Sequence, residues 1–136
     1  MPAMTGLKIN KRKDSFQLPP IVENYFDFCV WLLQKVSKFP KDQRYLLGSR
    51  IENLSLTILE SLIEGALHKK GLKKMTLLED VKMKLEQLRY LLRLAMAIRA
   101  INKRSHHYGS RRLQEVGTMV GGWIKSMRQR NLSYEL

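Results

Sequence analysis

The sequence predicts an all-α protein, an antiparallel up-down-up-down four-helix bundle. Three observations carry that expectation. Between Leu77 and Ile101, the residues Leu78, Val81, Leu85, Leu88, Leu92 and Ala95 recur in alternating steps of three and four. That spacing lays one apolar seam along a helix packed lengthwise against its neighbours. Three other stretches repeat the same stepping, separated by Phe39-Pro40, Gly71 and the segment after Asn102. No stretch alternates apolar and polar residues as a half-buried strand does, and short turns favour antiparallel neighbours.

Met1 to Leu18 has no apolar periodicity and carries Lys8, Lys11, Arg12 and Lys13. It reads as a flexible basic arm, either a contact element or a solubilising tail. The bundle domain is expected over residues 19–128. Pro19-Pro20 opens the first helix, where proline is tolerated. Its seam is Val22, Tyr25, Cys29, Leu32 and Val36. Phe26, Phe28, Val30, Trp31 and Leu33 fall outside the seam, so the helix is apolar over most of its circumference. Two neighbouring helices or a second subunit would cover the remainder, and the second subunit is the reading taken.

Phe39-Pro40 ends that helix, and a long second helix is expected to about Lys70 with the seam Leu47, Ile51, Leu54, Ile58, Leu62. A helix of about 30 residues spans about 45 Å, which makes the bundle elongated. Gly71 stops it. Thr76 with Glu79 reads as a capping box for the third helix, which is expected to end near Asn102. Ser105 is the expected cap of the fourth, with the seam Leu113, Val116, Val120, Trp123, Met127. Gly117, Gly121 and Gly122 are assigned to close helix packing, since glycine costs about 1 kcal/mol relative to alanine inside a helix. Residues 129–136 read as a frayed tail.

The formal charge is +13 over 136 residues. Such a field favours polyanions, which means nucleic acid, ribonucleoprotein or an anionic surface. The excess is local: residues 71–102 hold seven basic against three acidic side chains, and 103–136 seven against two. Lys82, Arg89 and Arg93 form a separate stripe on the third helix, with Arg89 and Arg93 placed opposite the C-terminal half of its core face, and Arg111 and Lys125 lie opposite the fourth seam. With Lys103, Arg104 and Arg112 they are the candidate binding residues, suited to phosphates or to a carboxylate-bearing protein partner.

Other chemistries find little footing. The single cysteine, Cys29, excludes an intrachain disulfide and fits a reducing cytoplasm. No apolar run has the length of a bilayer span and no h-region follows the basic N-terminus, so neither a membrane nor a signal peptide is expected. The three histidines show no metal-ligand spacing, no glycine-rich phosphate loop is present, and no cofactor or catalytic residue is expected. Arg99 and His106 resemble the arginine–histidine pair of a class of all-helical ribonucleases, but a predicted turn divides them and Ala100 replaces the expected polar residue. A solvent-facing His106-His107 pair is the preferred reading.

One block resembles a known family. Phe39-Pro40-Lys41, Gln43-Arg44-Tyr45, Leu47-Gly48 and Arg50-Ile51-Glu52-Asn53 are similar to the first helix junction of Avd, the accessory variability determinant of diversity-generating retroelements. The strings from Leu88 to Ala95 and from Gly121 to Met127 resemble it too, as does Leu18-Pro19 before an aromatic helix. The likeness covers about Leu18 to Arg128. It implies a barrel-shaped homopentamer that is not an enzyme. It also implies partners: a reverse transcriptase, and RNA and DNA held mostly by the phosphate backbone, during mutagenic retrohoming. Arg89 and Arg93 match arginines of the family's third-helix motif. The alternative is an S23-like bundle, an RNA-binding or scaffold protein unrelated to reverse transcription. Such proteins carry a different second helix from Leu47-Gly48-Ser49-Arg50 and Leu62-Ile63-Glu64-Gly65.

Overall fold

A computed structural model describes residues 18–68 and 71–135, so the basic arm before Leu18 and the pair Lys69-Lys70 lie outside it. The described residues form a four-helix bundle: α1 (Pro20–Val36), α2 (Ser49–Leu67), α3 (Leu72–Ala97) and α4 (Lys103–Glu135), and no strand occurs among them. Consecutive helices pack together and α1 also packs against α4, which closes the four into a ring around one core.

Helix α1 begins as expected, with Pro20 in its first turn. Its whole seam is buried, and so is Phe28, which the periodicity places outside the seam. Trp31 stacks on Phe28 at 5.8 Å between ring centroids and on Tyr108 of α4 at 4.8 Å. The breadth of apolar surface on α1 is therefore met chiefly within the chain. It lies in the angle between α2 and α4, and only Phe26 and Val30 of the group remain exposed. The expectation of a second subunit over this whole face is corrected accordingly.

Between α1 and α2 the chain makes one helical turn (Lys41–Gln43) and a π-helical stretch (Arg44–Gly48). Phe39 is fully buried and plugs this end of the core. A Cβ on Gly48 would stand 3.0 Å from Val36 Cγ1, so glycine favours the close approach of the two helices. Four of the five expected seam residues of the second helical segment, Leu47, Ile51, Ile58 and Leu62, are buried. Leu54 is half-buried, and Ser55 takes the buried position facing α1. Its carbonyl accepts a hydrogen bond from the Tyr25 hydroxyl at 3.0 Å. Gln43 Nε2 donates to Ile98 O at 3.4 Å, which ties this junction to the C-terminal end of α3.

Both predicted caps move. Helix α3 starts at Leu72, directly after Gly71 at φ 110°, a value suited to glycine alone. Thr76 is therefore inside the helix, its hydroxyl donating back to Leu72 O, while Glu79 pairs with Arg128 of α4. Helix α3 ends at Ala97 rather than near Asn102. Arg99 adopts φ 65°, with its N–H on Met96 O and the Ala100 N–H on Ala95 O at 2.8 Å. This is a Schellman closure with arginine in the left-handed position that glycine usually fills. Asn102, not Ser105, caps α4: its Oδ1 accepts from the Ser105 N–H at 2.8 Å. The serine is buried behind it.

The seam of α4 contains Leu113, Val116, Val120 and Met127 as expected, but Ile124 replaces the half-buried Trp123. The helix continues to Glu135, past the expected tail boundary at Gln129. The packing role given to Gly117, Gly121 and Gly122 is overturned, because a Cβ on any of them would meet nothing within 4 Å. Gly109 serves that purpose instead, with the Trp31 ring 3.1 Å and Leu92 3.3 Å from where a Cβ would stand.

Candidate nucleic-acid interface

The basic stripe of α3 is held by the same periodicity that builds the core. Leu85, Leu88 and Leu92 are buried, which leaves Lys82, Arg89 and Arg93 along one flank of the seam. They are beside the seam rather than opposite it, since Lys82 and Arg89 share a recess with the buried Leu85 and with Leu113 of α4. The correction matters for function: Arg89 is only half-exposed and walls a groove whose other side is α4. From Lys82 to Arg93 the stripe runs about 16 Å along the helix.

Two recesses occupy this groove. The first, about 230 Å³, is lined by Glu86, Arg89, Tyr90 and Arg93 of α3 and by His106 and Ser110 of α4. The His106 Nε2 and Ser110 Oγ are 3.2 Å apart, an i, i+4 pair that the Asn102 cap places on one face. The second, about 270 Å³, has Lys82 and Arg89 on one side and Gly117 and Gly121 on the other. The open glycines thus border the cations instead of packing against a helix.

Charge pairing is incomplete. Glu79, Asp80, Glu86 and Glu115 are taken up by Arg128, Lys84, Arg89 and Arg112 respectively. Among the described residues Lys82, Arg93, Lys103, Arg104, Arg111 and Lys125 have no carboxylate within ion-pair distance. Arg104, Arg111 and Lys125, spaced by seven and fourteen residues, share the exposed side of α4. Lys103 and Arg104 sit in the first turn of α4, where the helix dipole disfavours positive charge by about 0.3–1 kcal/mol each. Their placement does not serve the helix.

Arg112 differs from the other candidates. It donates to the Tyr108 hydroxyl at 2.7 Å and to Asn24 O of α1 at 3.2 Å, so it pins α4 to α1. Arg99 is exposed in the turn, and the arginines that line a recess with His106 are Arg89 and Arg93. Tyr90, His106 and Ser110 belong to the site although the charge pattern did not single them out. Tyr90 shares the flank of Glu86 and Arg93 by helical spacing, which is legible in retrospect, whereas the approach of His106 to that flank is purely tertiary. No three His, Cys, Asp or Glu side chains among the described residues gather as metal ligands. No helix among them is long and apolar enough to cross a membrane.

A family model described as bAvd-like matches residues 21–127, from the second residue of α1 to the buried Met127 of α4. The chain belongs to the bAvd-like family. No curated protein matches it. Avd-like proteins are accessory proteins, and the resemblance read from the helix junction and the α3 and α4 strings stands confirmed by this match. The match includes the whole α3–α4 groove and ends before the last turns of α4.

Proposed function

We infer that this protein is the non-enzymatic accessory subunit of a diversity-generating retroelement, binding its reverse transcriptase together with template RNA and cDNA. The observation that carries this reading is the stripe of Lys82, Arg89 and Arg93 along the α3–α4 groove of an Avd-like chain, with Lys82 and Arg93 lacking a carboxylate partner. Arg93, Lys82, Lys103 and Arg104 offer phosphate contacts that need no base sequence. The arginines can equally grip carboxylates of the polymerase, because guanidinium pairs bidentately with both.

Self-association into a homo-oligomer, a pentamer by the family resemblance, is part of the proposal. Phe26 and Val30 of α1, with Tyr45 and Leu46 of the π-helical stretch, are large apolar side chains left in solvent. Such surface is more often covered than left wet.

The test joins three measurements. Light scattering is expected to give about five times the chain mass, and RNA affinity is expected to fall steeply between about 50 and 200 mM salt. The reverse transcriptase encoded beside this gene is expected to co-purify with it. A monomer, salt-independent RNA binding, or the lack of a neighbouring reverse transcriptase gene and template repeat refutes the reading.

A further inference from the structure

The cationic recess has a neighbour of opposite character. On the other flank of α3, against α2, lies a mostly apolar groove of about 660 Å³ lined by Leu54, Met83, Gln87 and Leu91 together with Arg50. Glu86 and Tyr90 line both spaces, so these two side chains form the wall between them. The Tyr90 ring is 65% exposed, and the Arg93 guanidinium carbon lies 5.8 Å from its centroid. Met83 beside it is 54% exposed. An aromatic ring thus stands between a mostly apolar slot, with Arg50 in its lining, and a recess holding two arginines.

We propose that these adjoining spaces bind one unpaired nucleotide of a single strand. The base enters the slot against Tyr90 and Met83, and its phosphate sits by Arg93, Arg89 and His106. This deepens the proposed function and rests on it. The argument is complementarity in two parts at once. A nucleotide has an apolar π face and an anion a few ångströms apart, and only the unpaired form exposes the face. A duplex keeps its bases stacked and would meet the arginines alone. A second copy of the chain would fill the slot but would leave Arg93 at the edge of a dry interface, with the recess carboxylate Glu86 already paired to Arg89, which is costly. Glu86 is paired with Arg89 at 3.0 Å, so the two charges offset each other and Arg93 supplies the net positive charge of the recess.

The experiment uses the full chain in its native assembly. Fluorescence anisotropy compares a labelled single-stranded RNA with a blunt duplex of equal length, for wild type, Tyr90→Ala and Tyr90→Trp. Tyr90→Ala is expected to weaken single-strand binding about tenfold, within the range for loss of one stacked base, and duplex binding less than about twofold. Tyr90→Trp is expected to retain wild-type affinity, because it restores the stacking face. Equal losses on both ligands, or no loss on either, overturn the proposal. So does a Tyr90→Ala protein whose assembly mass changes while its single-strand affinity does not, since a second copy then occupies the slot. Wild-type protein that binds neither ligand overturns the proposed function as well, whereas binding indifferent to Tyr90 overturns this nucleotide site alone.

Discussion

Replacing Arg89 and Arg93 together by alanine separates a binding role from a structural one. The Arg89–Glu86 pair, at 3.0 Å with both side chains partly in solvent, contributes about 0–1 kcal/mol to stability. The exposed contact of Arg93 with Tyr90 contributes about 0.5–1 kcal/mol. Alanine returns a few tenths through helix propensity. The double variant should therefore lose no more than about 2 kcal/mol and keep its helical circular dichroism. Binding should respond far more. Each phosphate contact adds about −0.7 for single strands, or −0.9 for duplex, to the slope of log affinity against log salt. Losing two contacts flattens the slope by about 1.4–1.8. Across a fourfold salt range, that is about a 7- to 12-fold smaller drop in affinity. Anisotropy titrations at several salt concentrations, beside a thermal melt, read both quantities. An unchanged slope would remove these arginines from the phosphate surface, and collapse of the fold would make them structural.

Three further outcomes follow from the geometry. Arg99→Gly should stabilise the protein by about 0.5–1 kcal/mol, seen as a raised melting temperature, because φ 65° penalises a Cβ that glycine lacks. Gly109→Ala should destabilise by about 1–3 kcal/mol, since the ring of Trp31 is only 3.1 Å from the added Cβ, whereas Gly117→Ala in open space should stabilise by up to about 1 kcal/mol. Denaturant titrations measure both, and equal effects at the two sites would contradict the packing described. Burial pushes the Cys29 thiol up to about 11, so it should resist iodoacetamide in the native protein near pH 8 and react once unfolded. The sign of the linkage is fixed: the unfolded chain loses that proton from about pH 9 while the folded one keeps it. The thiol's contribution is complete below that value and is lost as pH rises toward 11, with the buried Tyr25 hydroxyl acting in the same direction.

Local rules were read well where local forces decide. The three-four stepping in α3 placed all six of its buried residues, because a helical period and an apolar seam admit one inward face. The caps were misread for a physical reason. Thr76 with Glu79 satisfies a local pattern that can also fall inside a helix, but Gly71 had already turned the chain, and the helix begins five residues earlier than that cap implies. At Asn102 two capping residues stood close together, and the choice of Asn102 left Ser105 free to be buried. The glycines of α4 were misassigned because sequence records a missing Cβ and not what stands opposite. Gly109 faces Trp31, while Gly117 and Gly121 face the groove.

The sequence by itself determined that the chain is helical, strongly basic, and marked by Avd-like strings at the first helix junction and in α3 and α4. These properties depend on composition and on neighbours three or four residues away. Only the tertiary structure decided how α1 is covered, and that Arg89 walls a groove instead of projecting from the far side. It also brought His106 and Ser110 to Arg93 and put Tyr90 between a cationic recess and an apolar slot. The reason is that a helix's period specifies which residues share a face, while the facing helix alone specifies what that face meets. Contacts between residues far apart in the chain leave no periodic trace within either helix.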